Sequence, residues 1–380
     1  MHEVVHIIGW IICGSGVAGA VYAMASIVAA GRFYRHPPIT VAPAIAVTLL
    51  KPLYRAEPEL AANLDSFCDQ EYGAPVQIVL GMNRGDDAAL AVAQQIRAKH
   101  PDRDITIVEA GPRQGTNPKI GNLLHMLPAA KHDLIVISDS DIGVPRNYLA
   151  IVTAGLQTTG TGAVTCCYTG VAASPGIWAK LSAMGINQHF LPDTLFALQH
   201  RLASPCFGST IALTRKVLAE IGGLLPFATL LADDYEIGRA VRARGYGIAV
   251  PPMAVRHSCS ERSFAELIRH ELRWARTIRL VNPLGFIGTV FTHAIPLSLL
   301  AVFLLDFAPT AIAVVGLATA SRLWLASRIN AWFGTRDPIW LVPVRDLLSF
   351  VVYLGALFTR RVEWRGARFH VSSAGAMAQE

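Results

Sequence analysis

The chain moves between two regimes of hydrophobic patterning. From Val4 to Ala30 there is no Asp, Glu, Lys or Arg, a run of 27 residues, long enough to cross a hydrocarbon core of ~30 Å as a helix. Charge-free runs return at Leu280 to Leu305 and at Phe307 to Ser321, and a last apolar stretch, Ile339 to Thr359, is broken only by Arg345 and Asp346. The first run is too long for the ~7–15-residue apolar region of a secretory leader and lacks its basic prefix. Glu3 precedes it while Arg32 and Arg35 follow. The basic side favours the cytoplasm, which places Met1 outside and everything after Gly31 inside. The third run is short, so Asp306 and Arg322 at its ends are expected to snorkel to the two surfaces. Charges at mid-depth are costly in lipid, and four full spans would carry the basic tail Arg360, Arg361, Arg365 and Arg368 outside. The stretch 339–359 is therefore expected to be re-entrant or interfacial, with the tail cytoplasmic.

Between Arg32 and Arg279 the pattern changes to short apolar runs separated by amphipathic segments. Ala44–Leu50, Val76–Leu80, Ile105–Val108 and Leu134–Ile137 read as strands, with helices such as Glu57–Cys68 and Asp86–Ala98 between them. Later apolar runs lie at Ala163–Tyr168, Ser209–Leu213 and Gly247–Val250. This βαβα order predicts an α/β fold with a parallel sheet covered on both faces. The organisation is thus an anchor at 1–31, a water-compatible domain at 32–279, a membrane region at 280–359 with two spans plus a re-entrant segment, and a basic tail at 360–380. Gly14, Gly16 and Gly19 spell a GxGxxG fingerprint, but inside the first apolar run, without the strand–turn–helix unit that binds nucleotides. Small residues there serve close helix packing.

Composition sharpens this division. Only 16% of the 380 residues are charged and mean hydropathy is +0.40, against ~25% charged in typical soluble domains. Disorder, which needs low hydrophobicity and high charge, is excluded. The 32–279 segment holds 25 basic and 21 acidic residues, so the charge deficit belongs to the ends. The net charge of +6 is no nucleic-acid signal, because six arginines between Arg256 and Arg279 and four in the tail sit beside apolar segments. They mark a membrane surface. Six scattered cysteines with no CxxC pair read as reduced, buried thiols. Arginine outnumbers lysine 27 to 6, a GC-rich bacterial signature that points to an inner membrane with the 32–279 domain on its cytoplasmic side.

Four clusters carry candidate chemistry. Leu134–Ile137 runs into Ser138-Asp139-Ser140-Asp141, a buried strand ending in two carboxylates that share a face and suit a hard cation, Mg²⁺ or Mn²⁺. The competing account is a polar turn before Pro145. Asp233, Asp234 and Glu236 open an apparent helix. They read either as capping residues or as adjacent carboxylates whose repulsion raises a pKa, as a general base needs. His270-Glu-Leu-Arg273-Trp274 offers a planar donor fork for phosphate beside an aromatic platform. Gly111-Pro-Arg113-Gln-Gly115 followed by Asn117-Pro-Lys119 reads as a phosphate- or nucleotide-facing turn. His125, His132, His189 and His257 have no ligand spacing and read as structural.

Taken in order, these residues resemble the ceramide glucosyltransferase family of membrane glycosyltransferases, whose bacterial relatives include hopanoid-biosynthesis enzymes. The likeness runs from Ile45 to about Trp274, through Leu50-Lys51-Pro52-Leu53, Glu57-Pro58, Asn63-Leu64, Asn117-Pro118-Lys119-Ile120, Asp139-Ser140, Gly208-Ser209, Arg215-Lys216-Val217-Leu218, Gly222-Gly223-Leu224, Asp234-Tyr235 and Arg273-Trp274. It implies a GT-A nucleotide-diphosphosugar fold, a UDP-sugar donor, a membrane lipid acceptor and inversion at the anomeric carbon. It further implies that Lys51 and one of Asp86 or Asp87 face the nucleoside and that Asp139 and Asp141 hold the cation and diphosphate. Asp233 and Lys119 would line the donor site, Asp234 would be the base, and Arg273 with Trp274 would belong to a (Gln/Arg)xxArgTrp motif. Two departures stand out: His270 replaces the usual Gln or Arg, and Asn83-Arg84 occupies a strand end where an acid is common. Implied acceptors are a hopanoid alcohol receiving N-acetylglucosamine, favoured by the bacterial composition, or ceramide receiving glucose. A processive polysaccharide synthase shares the fold but needs a channel, for which three or four apolar segments are too few.

Overall fold

Alternate residues of the central strands are buried on opposite faces, and this divides the sheet's surroundings into two cores. Val47 and Leu49 of β1 (Val47–Pro52) and Leu134 and Val136 of β4 (Leu134–Ile137) pack with Phe67 and Tyr148 on one face. Leu50, Ile135 and Ile137 pack with Ile120, Phe227 and Ile237 on the other. Strands buried on both faces read as continuous Val/Ile/Leu runs, as these do. The computed structural model describes residues 2–36, 42–112, 114–358, 361–364, 367–371 and 376–379. Arg113, Arg360 and Arg365, named above in the phosphate-facing loop and the basic tail, lie outside the described residues.

Two units divide the chain. One comprises 36–174, 204–260 and 364–380. Its main sheet adds β2 (Val76–Asn83), β3 (Asp104–Ala110), β6 (Thr161–Val164), β8 (Ile211–Thr214) and β9 (Gly247–Ala249), in the order β3-β2-β1-β4-β8-β6-β9. β3, β2, β1 and β4 run parallel, but β8 is antiparallel to both β4 and β6. The all-parallel expectation therefore fails at β8. The reason is connectivity: β8 enters from the loop around Gly208 after the chain has left this unit at 175–203, and no crossover helix sets its direction. A second, three-stranded sheet joins β5 (Ile142–Gly143), β10 (Ala254–Cys259) and β7 (Cys167–Ala172), with β10 in the middle. The expected strand Ala163–Tyr168 is thus two strands serving two sheets. All six cysteines are free and buried.

The other unit comprises 1–35, 175–203 and 261–363. Residues 175–203 and 261–279, inside the stretch that patterning groups as one water-compatible domain, pack here with the terminal helices. Three helices among the described residues are long and apolar enough to cross a membrane: His2–Arg35, Pro309–Phe333 and Ile339–Leu357. Ile339–Leu357 is one such helix, whereas Pro283–Thr292 and Ala294–Leu304 meet at a 65° bend. Charge pairing explains how Ile339–Leu357 holds two charges. Arg345 makes a two-pronged contact with Glu271 at 2.6 Å on each arm, and Asp346 receives Arg322 at 2.8 and 2.9 Å and lies 2.9 Å from His189. Arg322 consequently does not snorkel. It is 4% exposed, and its helix continues to Phe333. The small residues of the first helix are used for packing: a Cβ at Gly19 would sit 2.6 Å from both Ala294 Cβ and the Phe291 carbonyl, and one at Gly16 3.1 Å from Ser298 and Val314.

Removing one partner of a buried ion pair leaves an uncompensated charge, at a cost of ~3–5 kcal/mol, whereas replacing both by apolar residues is often near neutral. Asp346→Ala should therefore lower the melting temperature of the detergent-purified protein sharply, and the double change Arg322→Met with Asp346→Leu should recover most of the loss. Equal melting of Asp346→Ala and wild type would deny the pair its structural role.

Candidate functional site

Ser138, Asp139, Ser140 and Asp141 link β4 to β5 at the carboxyl end of the parallel strands, where ligands of open α/β sheets bind. Their backbone is pinned on both sides: Ser138 N–H donates to Leu50 O at 3.2 Å, Asp139 N–H to Gly208 O at 3.2 Å, and Ser258 N–H to Asp141 O at 2.8 Å. The Ser140 hydroxyl donates to Glu57 Oε2 at 2.6 Å. These bonds make the strand end a fixed platform, not a free turn.

One ammonium joins the two acidic motifs. Lys119 Nζ lies 2.7 Å from Asp139 Oδ1 and 3.2 Å from Asp233 Oδ2. Its approach is set by Asn117, whose side-chain oxygen caps helix Pro118–Met126 by accepting from the N–H groups of Lys119 and Ile120 at 3.0 and 3.1 Å. The Asn117 amide nitrogen donates to Leu230 O at 2.8 Å and to Asp233 Oδ1 at 3.1 Å. Burial works against the ammonium, but Asp139, Asp233 and Asp234 outweigh it and hold the Lys119 pKa above its ordinary value.

Asp233 and Asp234 open helix Asp233–Ala243, yet the N-cap position is Ala232, with no side-chain cap. The pair lies inside the first turn instead of at the cap position, and its side chains also reach beyond the helix. Asp233 reaches back to Asn117 and Lys119. Asp234 Oδ2 accepts from Gly208 N–H at 2.9 Å, and its Oδ1 from its neighbour Tyr235 N–H at 2.8 Å. Burial first, then the charge on Asp233, raise the Asp234 pKa to about 6, against the opposing pull of Lys119 and the two backbone donors. Gly208 is the hinge of the arrangement: an added Cβ would lie 2.5 Å from Asp139 Oδ2 and 2.8 Å from Lys119 Nζ.

The other expected residues divide. Lys51, expected to face a nucleoside, is instead fully buried. Its ammonium donates to Ser138 Oγ at 3.2 Å and to the Asp139 carbonyl, and lies 3.9 Å from the centre of the Phe67 ring. Burial, opposed by Asp141, Asp139 and Glu57, lowers its pKa to about 7. Lys51 braces the platform from below. Asp86 caps helix Asp87–Lys99 by accepting from Ala89 N–H at 3.3 Å and also accepts from Arg55 N–H at 2.6 Å, while Asp87 is exposed. His270, Arg273 and Trp274 share helix Phe264–Val281 in the other unit. There His270 Nδ1 pairs with Glu261, and its ring meets Trp274 edge-on at 4.6 Å.

Two residues escaped the sequence reading. His257 Nε2 lies 3.2 Å from Asp141 Oδ2, and Asp141 outweighs the effect of burial to hold the ring well above its ordinary pKa. Strand pairing of β10 with β5 sets His257 opposite Ile142, one residue from Asp141. No spacing signal links positions so far apart in the chain. Gly208 was visible as part of the Gly208-Ser209 motif, without the role that its close approach to Asp139 and Lys119 gives it. The chemistry of the donor set fits a hard divalent cation: Asp139 and Asp141 offer carboxylate oxygens from one rigid strand end, beside a gap that any side chain at Gly208 would fill.

Comparison with known proteins agrees with this architecture. The sequence profile of glycosyl transferase family 21 matches residues 10–377. Ceramide glucosyltransferase 3 of Caenorhabditis elegans is 24% identical over 349 residues, covering 87% of this chain and 73% of the relative. Ceramide glucosyltransferase 1 of the same organism is 21% identical over 345 residues, covering 87% and 72%. Among solved structures, a mannosyltransferase from Pyrobaculum calidifontis in complex with GDP-Man and Mn²⁺ superposes with a TM-score of 0.51 at 21% identity, over 91% of this chain and 99% of that one. The fold is GT-A.

Gly208→Ala tests the geometry directly. The new methyl must displace the Asp139–Lys119 pair, and misplacement by about 1 Å can cost ~10²-fold in rate. Transfer activity should fall by that order, and the melting temperature should fall as well because the displaced pair is partly buried. An unchanged rate would show that the cluster tolerates the displacement.

Proposed function

Because the chain belongs to glycosyl transferase family 21, we propose that it moves a hexose from a UDP-sugar to the hydroxyl of a membrane lipid, with inversion at the anomeric carbon. The observation that carries this reading is the Asp139–Lys119–Asp233 bridge with Asp234 beside it. It sets a cation-suited carboxylate pair and a carboxylate with a pKa of about 6 on one sheet end.

In this mechanism Asp234 accepts the proton of the lipid hydroxyl. The hydroxyl oxygen forms its bond to the anomeric carbon on the face opposite UDP, and the bond from that carbon to the diphosphate oxygen breaks. The N–H groups of Gly208 and Tyr235 keep Asp234 oriented without neutralising it. Asp139 and Asp141 would hold Mg²⁺ or Mn²⁺, which would supply neutralisation of the diphosphate's negative charge. Lys119 keeps Asp139 and Asp233 from repelling each other. Arg273 and Trp274 are assigned to the diphosphate and acceptor by their motif, and Asp86 or Asp87 to the nucleoside.

Localisation follows the same logic. Three membrane-length helices support a membrane protein, and the arginines flanking the apolar runs support a cytoplasmic catalytic unit in a bacterial inner membrane. For the acceptor, a hopanoid alcohol receiving N-acetylglucosamine is supported by the arginine-rich composition, and ceramide receiving glucose by the names of the relatives. Mass spectrometry of membrane lipids from cells with and without the protein separates them: loss of an N-acetylhexosaminyl hopanoid supports the first, and loss of a hexosylceramide the second.

General-base catalysis contributes ~10²–10⁴-fold, so Asp234→Asn should reduce transfer by that factor with UDP affinity nearly unchanged. Equal loss of both would move Asp234 into the nucleotide site. A base must be deprotonated to act. The wild-type rate should therefore be level above pH ~6 and fall about tenfold per unit below it, and the acid limb should vanish from the residual Asp234→Asn rate.

A further inference from the structure

Away from the catalytic cluster, and within the unit that holds the terminal helices, three side chains converge: His2, His6 and Asp306. His2 and His6 are one helical turn apart on the first helix, and their rings stack with centroids 4.8 Å apart. Asp306 lies in the turn between helices Ala294–Leu304 and Pro309–Phe333. We infer that these three residues form a binding site for Zn²⁺ or a similar transition-metal dication, with His2 and His6 supplying Nε2 and Asp306 a carboxylate oxygen.

The geometry matches the chemistry. Asp306 Oδ2 is 3.2 Å from His6 Nε2 and 3.7 Å from His2 Nε2, and the three candidate donor atoms lie within 4.8 Å of one another. A tetrahedral zinc with bonds of ~2.0–2.1 Å separates neighbouring donor atoms by about 3.3 Å, so an ion between these three needs only small side-chain movements. Imidazole and carboxylate are zinc ligands, and three of them with a fourth position open to water is a common coordination set.

The backbone adds a second observation. Asp306 and Phe307 both adopt left-handed conformations, φ +46° and +60°, at a cost of order 1–3 kcal/mol each. The turn is closed by Phe307 N–H to Val302 O at 2.9 Å and Ala308 N–H to Leu305 O at 3.0 Å. Those bonds fix the turn's backbone, from which Asp306 reaches the two histidines. A bound cation would fasten this turn to the start of the first helix.

The test uses the full chain in detergent, carrying an affinity tag without histidine, stripped with a chelator and titrated with Zn²⁺ against a chromophoric competitor. Wild type should bind one more equivalent than Asp306→Asn or the double variant His2→Gln/His6→Gln. The affinity loss should exceed the ~10–100-fold typical of changing an outer-shell partner. Zn²⁺ should raise the melting temperature of wild type by more than that of either variant at the same concentration. Any zinc captured at the carboxylates of the catalytic cluster is common to all three proteins and cancels. Equal stoichiometry and affinity in the three proteins would overturn the inference, as would a wild type that binds no Zn²⁺.

Discussion

A single ammonium holding two carboxylates from distant parts of the sequence is the constraint on which the catalytic unit depends. Lys119 meets Asp139 at 2.7 Å and Asp233 at 3.2 Å. Without it the strand end and the start of helix Asp233–Ala243 would face each other as like charges in a partly buried space, and one of them would protonate or withdraw. With it, Asp233 is anchored, while Asp234, next in the chain, accepts from two backbone donors among the described residues. That difference in partners sets the chemistry. Asp233 is occupied structurally, while Asp234 keeps a raised pKa and lone pairs for a proton. In the proposed reaction, two adjacent carboxylates thereby take different tasks through environment alone.

The remaining parts serve that placement. Lys51 and Phe67 close the platform from beneath, Asn117 aims Lys119, and Gly208 supplies the donor to Asp234 and the space beside Asp139. In the membrane-helix unit the same principle recurs with different partners. Arg345 with Glu271 and Arg322 with Asp346 carry charge through apolar helices because each of these four groups has a geometrically suited mate.

Much of this was readable in the chain. The Leu134–Ile137 strand and the two carboxylates after it, the Asp233-Asp234 pair and the helix-packing glycines all follow from local pattern, because a period-2 or charge-free run depends only on neighbours. Pairing between distant residues does not. Arg345 and Asp346 looked like a flaw in a span because Glu271 and Arg322 could not be seen beside them. The direction of β8, the burial of Lys51 and the approach of His257 to Asp141 are likewise set by strand register and tertiary contact, which leave no mark on spacing.

The distribution of charge follows from the same reasoning. A chain with 16% charged residues has few to use, and among the described residues Lys51, Lys119, Asp233, Glu261, Arg322, Arg345 and Asp346 sit where burial makes them count. In water, a lysine between two aspartates would be worth little. In a partly desolvated strand end each interaction strengthens, and the cost of breaking it rises in step. A lipid acceptor demands a site near the bilayer, and a nucleotide donor demands a strongly charged one. Burying the charges in matched sets reconciles the two demands, because a paired group needs no water to remain ionised. Asp234 is the exception that the proposed reaction requires, since a base must stay incompletely satisfied to accept its proton.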